Sequence, residues 1–258
     1  MRRRVLPTGW RRCILYAEAD EVTTRRAAYE RKLRALCADV EAGKAAGDLV
    51  KAVGSRQPFL LAYQGACDRD LQQIYGSMIC RIMAGHYPVA TLPPPPAPGE
   101  PIRVGIVSSF FYLHSNWKIP IKGWISQIDR SRFKIFGYHI GTRQDAETKA
   151  AAAMCDKFVQ RVLKVDGWRR AILADAPHVL IYPGLMMDTV SIQLAALRLA
   201  PVQLNSWGHP DTSGMPTLDY FLSSDLMEPA DADAHYTNWC GCRISRSITS
   251  SWRSSRSR

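Results

Sequence analysis

The run Trp207-Gly208-His209-Pro210-Asp211-Thr212-Ser213-Gly214 brings two glycines, a proline, a histidine, a carboxylate and two hydroxyls into one turn. Glycine lets backbone N–H groups come close to a ligand, and Thr212 and Ser213 add donors at helix-start positions, so oxyanions or sugar hydroxyls are the natural guests. The same residues also make an ordinary capped strand-to-helix turn. His114 is the second candidate, in the loop Phe110-Phe-Tyr-Leu-His-Ser-Asn-Trp117, where Asn116 is placed to cap a helix. An imidazole there suits a base, or a hydrogen-bond donor to a bound sugar or phosphate, because its reference pKa lies near neutrality. His178 begins a strand and reads as structural, while His86 and His139 carry no signal. Asp211 and Asp225 fall in the same kind of loop, yet no spacing fits a paired-carboxylate glycosidase site or a metal triad.

The elements that must hold these loops follow from apolar periodicity. Short apolar runs predict strands over 103–107, 134–139, 179–182, 202–207 and 220–223, with a short piece at 158–162. Helices are expected between them over 121–128, 146–154, 168–174 and 190–199. Several strands are apolar on both faces, as a parallel sheet covered on both sides requires, so the fold class is a doubly wound α/β sheet. Ligands sit off the carboxyl ends of such strands, which places the loops 108–117, 183–188, 207–214 and 223–225, and with them His114, Gly184 and His209, on one rim. Ahead of the sheet, Ala28, Tyr29, Leu33, Leu36 and Val40 predict an amphipathic helix over 23–53, broken near Gly43 or Gly47. A second helix is expected over 68–83, starting at Asp68, with Leu71, Ile74, Tyr75, Met78, Ile79 and Ile82 on its core face. The run Leu92-Pro-Pro-Pro-Pro-Ala-Pro-Gly-Glu-Pro101 is neither helix nor inner strand and predicts a stiff extended connector. The expected organisation is a helical region over 1–92, a Pro-rich linker over 93–101, an α/β lobe over 102–238 and a disordered Ser/Arg tail over 239–258.

With 258 residues, 47% of them hydrophobic, the chain can bury one large or two modest cores. No apolar run approaches the ~18 residues of a membrane span and no signal segment follows the first arginines, so a cytoplasmic protein is expected. Seven cysteines, mostly isolated, indicate neither a disulfide framework nor a zinc site, and Cys240-Gly-Cys242 is too tight for a zinc half-site. The net charge of +11 is an effect of the two ends: five arginines precede the first acid and five follow the last, leaving +1 for the part between. That distribution argues against a specific nucleic-acid binder.

Several ordered stretches resemble the catalytic region of O-linked N-acetylglucosamine transferases and SPINDLY-type proteins. They are Arg103-Val-Gly-Ile-Val-Ser-Ser109, His114 with its loop, Leu199-Ala-Pro-Val-Gln203, the Trp207–Gly214 run and Leu218-Asp-Tyr220. The likeness spans about residues 101–236, more weakly 57–83. It implies the first Rossmann-like lobe of a two-lobed GT-B glycosyltransferase, with an adjoining tetratricopeptide region. It implies His114 in the active site near the donor sugar, with Ser115 and Asn116 beside it. Gly208, His209, Pro210 and Thr212 fall in the loop that closes over the sugar. The implied co-substrate is a nucleotide sugar, UDP-linked, without a separate cofactor or metal, and the implied acceptor is a protein or peptide. A noncatalytic module binding a peptide or glycan on the same rim is the alternative.

This sequence departs from the pattern at three places. Phe110 stands where those transferases carry an aspartate, Ser115 and Asn116 replace Pro and Thr, and the segment 57–63 lacks their active-site histidine. Glucose or fucose transfer is then as admissible as N-acetylglucosamine transfer. The second lobe is expected after about residue 240, where Ser and Arg instead make up 11 of the 15 positions Ile244–Arg258. Codons compatible with Trp239–Ser247, read in a shifted frame, spell Val-Arg-Leu-Pro-Asn-Leu-Ser-Ile, which resembles the family's continuation. The expectation is a frameshifted, truncated transferase, inactive on its own.

Overall fold

A computed structural model describes residues 16, 18–43, 49–209, 211–224 and 227–237. Pro210, Asp225, Gly47, Cys240, Cys242 and the Ser/Arg tail lie outside the described residues. The centre is a six-stranded, all-parallel sheet in the order β3-β2-β1-β4-β5-β6. Its strands are β1 (Ile102–Ser108), β2 (Phe133–His139), β3 (Lys157–Gln160), β4 (Val179–Tyr182), β5 (Val202–Ser206) and β6 (Tyr220–Leu222). The strand expectations are met to within one or two residues. The sheet grows from β1 in both directions, and the register pairs Val104 with Ile135 on one side and Val179 on the other.

Alternation along the strands feeds two cores. Val104, Ile106 and Ile135 face one layer, with Ile121 and Ile125 of the helix after β1 and Ala151 of α5 (Ala146–Met154). Val107, Tyr138, Leu180 and Tyr182 face the other layer. There they meet α6 (Val165–Asp175) through Trp168 and Ile172, and α7 (Thr189–Ala195) through Ile192 and Leu194. The N-terminal helices join this second layer: Leu33 of α1 (Ala19–Glu41) and Tyr75, Ile79 and Met83 of α3 (Arg69–His86) belong to the same apolar cluster. A short α2 (Leu49–Ala52) is tied in where the Gln193 amide donates to the carbonyls of Val50 and Val53.

Element ends show what local chemistry overrides the periodicity. The first helix starts at Ala19 rather than Thr23 and ends as Gly43 takes φ +64°, near the expected break. Asp68 stands at the N-cap of α3 but does not cap it, because its buried carboxylate accepts from Arg26 Nη1 at 2.5 Å, a charge-assisted bond stronger than a cap. The helix after β1 opens earlier than expected, with a π turn (Trp117–Ile121) leading into α4 (Lys122–Gln127). Pro120 lies inside that π turn, past the first intrahelical bond from Lys118 N to the His114 carbonyl, and its missing N–H marks where the α ladder is interrupted. At the far side α7 stops at Ala195 instead of Leu199. The buried Gln203 amide accepts from Leu199 N and donates to the carbonyls of Leu197 and Thr217, replacing the helical partners.

The stretch from Trp207 leads into β6 and not into a helix, so Thr212 and Ser213 do not sit at a helix start. The helix α3 covers that part of the layer. A Cβ on Gly76 would lie 2.4 Å from the Gly214 carbonyl carbon and oxygen, so the two backbones touch.

Candidate functional site

Three loops meet at the carboxyl edge: 109–116 after β1, 183–188 after β4 and the stretch from Trp207 after β5. Asn116 is the wedge between them. Only 5% exposed, it directs Nδ2 to the Met187 sulfur at 3.2 Å. A Cβ on Gly184 would stand 2.8 Å from that Nδ2, and one on Gly208 would stand 2.9 Å from it and 2.0 Å from the Pro183 carbonyl oxygen. Glycine at both positions is what lets the loops close on one amide. The β4 loop is itself strained, since Met186 holds φ +70° while fully buried. Its end is fixed by Asp188, whose carboxylate caps α7 through Ser191 N at 2.7 Å and accepts from Ser109 Oγ at 3.2 Å. Burial pushes that carboxyl above the usual range.

His114 lies half-buried on this rim, stacked on Phe110 with centroids 4.3 Å apart. Phe110 in turn approaches Gly184. The Asn116 backbone N–H donates to His114 Nδ1 at 3.1 Å, so the neutral ring carries its proton on Nε2. Burial and then the Arg143 guanidinium hold the imidazole below its ordinary pKa. At neutral pH this ring offers an Nε2–H donor and no free basic nitrogen. Ser115 next to it is exposed.

The other half of the expected site turns inward. His209 is 2% exposed and packs on the Phe59 ring at 4.7 Å, its Nε2 donating to the Phe59 carbonyl at 3.2 Å. Its Nδ1 is left buried without a hydrogen-bond partner, and burial lowers its pKa. The expectation that His209 shares the rim with His114 is therefore corrected: the contact with the N-terminal segment draws the ring beneath the loop. Thr212 is buried too, sharing a hydrogen bond with the Thr237 hydroxyl at 3.1 Å. Asp211 accepts from Gln72 Nε2 at 2.7 Å, and burial, with Asp68 nearby, pushes its carboxyl up to about 7. Trp207 fastens the start of the loop edge-on to Trp124 of α4 at 5.8 Å.

Beside this junction an open hollow of about 430 Å³ is lined by Arg56, Gln57, Phe59, Leu60 and Met187. Phe59 is shared with the His209 contact and Met187 with Asn116, so the hollow adjoins the rim. Sequence reasoning missed Phe59, Met187 and Arg143, and marked Phe110 only as a departure from the family pattern. The loop at 183–188 pointed toward Met187, but nothing in the sequence pairs Phe59 with a residue 150 positions away. Among the described residues no three His, Cys, Asp or Glu side chains gather to hold a metal. No helix among them is long and apolar enough to cross a membrane. The chemistry on offer is hydrogen bonding to oxygens, from His114 Nε2–H, Ser115 and the loop backbone.

The sequence profile of glycosyl transferase family 41 matches residues 81–241. The chain is 30% identical over 146 residues to a protein of Arabidopsis thaliana described as probable UDP-N-acetylglucosamine-peptide N-acetylglucosaminyltransferase SPINDLY, covering 52% of this chain and 15% of that protein. It is 25% identical over 134 residues to the UDP-N-acetylglucosamine-peptide N-acetylglucosaminyltransferase of Caenorhabditis elegans, covering 51% and 12%. The chain thus matches only 12–15% of the length of these curated relatives. Its fold is similar to that of a mutant O-GlcNAc transferase of Thermobaculum terrenum, with a TM-score of 0.61 at 20% identity, over 88% of this chain and 42% of that one. With the profile extending over more than half of its residues and a matching parallel sheet, the chain belongs to glycosyl transferase family 41.

Proposed function

We propose that this chain is the acceptor-side lobe of a nucleotide-sugar-dependent protein glycosyltransferase of the O-GlcNAc transferase and SPINDLY kind, working in the cytoplasm on a protein or peptide. The co-substrate is a nucleotide sugar, with a UDP-linked hexose or N-acetylhexosamine as the first choice. The observation that carries the reading is the junction at Asn116, where three strand-end loops close on one amide beside an imidazole that presents only a donor nitrogen. His114 then acts by donating from Nε2–H to a donor-sugar hydroxyl or phosphate oxygen, and not by taking the acceptor proton. A base in this position would need its acceptor nitrogen free, and Nδ1 is occupied by the Asn116 N–H. Ser115 and the Gly208 backbone supply further contacts to the same group. Leaving-group stabilisation would fall to a second lobe, so the 258 residues alone are expected to bind without turnover.

The test is binding of UDP-GlcNAc, UDP-glucose and GDP-fucose to the 258-residue chain by ligand-observed NMR, with His114→Ala and Gly208→Val alongside. Losing one hydrogen bond to a charged oxygen costs about 1.5–3 kcal/mol, so His114→Ala should weaken binding by roughly tenfold or more. Its melting temperature should stay near that of the parent. The proposal fails if none of the three nucleotide sugars binds, or if both variants bind as well as the parent. Selective binding of a peptide or glycan with no nucleotide-sugar signal would favour a noncatalytic module instead.

A further inference from the structure

The loop that follows β2 reaches the His114 loop from the side, and its contacts form a continuous stack. The Arg143 guanidinium carbon lies 4.4 Å from the Tyr112 ring centroid. Tyr112 meets His114 edge-on at 5.6 Å, and His114 stacks on Phe110 at 4.3 Å with 23° between the planes. Cation, phenol, imidazole and phenyl are therefore in series, ending against Gly184 on the rim. The base of the stack is fixed by buried groups. His139, fully buried at the end of β2, donates Nε2–H to the Arg143 carbonyl at 2.8 Å. A Cβ on Gly141 would stand 2.5 Å from the Ser109 carbonyl oxygen, so this loop lies flat against the end of β1. Asp145 locks the other side, accepting from Leu113 N at 2.8 Å through one oxygen and from Thr148 N at 3.1 Å through the other, where it caps α5.

We propose that Arg143, acting through the Tyr112 ring, is a positioning residue that keeps His114 neutral, upright on the rim and protonated only on Nε2. This deepens the reading of His114 as a rim donor and rests on it for its functional meaning. Physically, a guanidinium attracted to one ring face brings a fixed positive charge close to the imidazole, and a second positive charge on that imidazole is then disfavoured. The Asn116 N–H bonded to Nδ1 acts the same way, because a proton on Nδ1 would oppose it. The charged groups around the ring are Arg143 and Asp145 from the β2–α5 loop and Lys118 one turn further along its own helix, whose N–H bonds the His114 carbonyl at 2.9 Å. Asp145 is oriented away by its bonds to Leu113 N and Thr148 N, and after burial the Arg143 guanidinium is the charge that bears on the imidazole.

The experiment reads His114 directly, by long-range 1H–15N NMR of the uniformly labelled 258-residue chain over a pH series, with the signal assigned by its loss in His114→Gln. The parent should show the Nε2–H tautomer and a midpoint below that of an ordinary histidine. In Arg143→Gln and Tyr112→Leu the midpoint should rise and the two tautomers should mix. Tyr112→Phe keeps the ring and Arg143→Lys the charge, so both should stay near the parent. An unchanged midpoint and tautomer in Arg143→Gln, with a parent-like spectrum elsewhere, overturns the proposal, as does Tyr112→Phe behaving like Tyr112→Leu. UDP-GlcNAc affinity of the same variants, taken above all the midpoints, separates the two ideas. A midpoint moved by Arg143→Gln, together with a His114→Gln affinity equal to the parent's, supports the positioning device and refutes the donor role of His114.

Discussion

Gly76→Ala sets two physical rules against each other inside one helix. In an isolated helix the change stabilises by about 1 kcal/mol, because alanine loses less backbone entropy than glycine. In this fold a Cβ at 76 would lie 2.4 Å from the Gly214 carbonyl carbon and oxygen and 2.7 Å from Met215 N, about an ångström inside normal contact. The atoms it meets are backbone, and Gly214 is itself pinned, with φ +63° and its own Cβ position 2.1 Å from the Gln72 carbonyl. Relief must therefore come from moving α3 away from the loop that carries Gly208. Overpacking of this kind costs about 1–3 kcal/mol, and rigid atoms on both sides place it at the upper end, for a net loss of about 1–2 kcal/mol after the propensity gain. In a chain of this size that is a fall in melting temperature of roughly 2–8 °C. Gly85 is the internal control, lying on the same helix, exposed, with nothing within 4 Å of its Cβ position. Gly85→Ala should gain up to about 1 kcal/mol. Urea titrations followed by tryptophan fluorescence would measure all three chains. Gly76→Ala gaining stability like Gly85→Ala would refute the close contact between α3 and the loop.

Two other perturbations probe the same junction. The raised carboxyl of Asp211 binds its proton more tightly in the folded chain than in the unfolded one, so stability falls as pH rises from about 4 to about 7 and then levels. Asp211→Asn should flatten that slope and gain up to about 4 kcal/mol at pH 8, whereas a parent whose urea midpoint does not change between pH 5 and pH 8 would contradict the burial of this group. Arg26 bonds Asp68, Gln64 and the Cys67 carbonyl, tying α1 to the start of α3. Arg26→Ala leaves the Asp68 carboxylate buried without that cation and should cost about 3 kcal/mol, part of it recovered in the double variant with Asp68→Asn. A loss below about 0.5 kcal/mol, as for a surface pair, would show that the bridge is solvated.

The sheet was legible because its central strands are short runs rich in apolar residues, clearest at Val179–Tyr182 between Pro177 and Pro183. Parallel topology then fixed which loops share an edge, and Gly184, Gly208, His114 and Asn116 do meet there. What periodicity cannot carry is the direction of a side chain within a loop. His209 and Thr212 look as available as His114, and only contacts with Phe59 and Thr237, distant along the chain, turn them inward. The π turn was hidden by Pro120, which reads as a helix breaker unless the start at Trp117 is already known. Arg143 was invisible for a related reason, since a loop arginine has no period and its meaning comes from the ring it covers.

The partners of the N-terminal helices are far away along the chain: Phe59 with His209, Gln72 with Asp211, Val50 with Gln193. During synthesis the apolar faces of α1 and α3 emerge with only each other for cover, before the sheet and α7 that complete their layer exist. At roughly 5–20 residues per second, the ~130 residues from the end of α3 to Met215 take on the order of ten seconds to appear. For that interval Leu33, Ile79 and Met83, all fully buried in the finished fold, lack the sheet-side part of their cover and remain partly open to water and to neighbouring nascent chains. Yield in a cell should therefore depend on chaperone supply during translation, and slower growth temperatures should help more than added ligand.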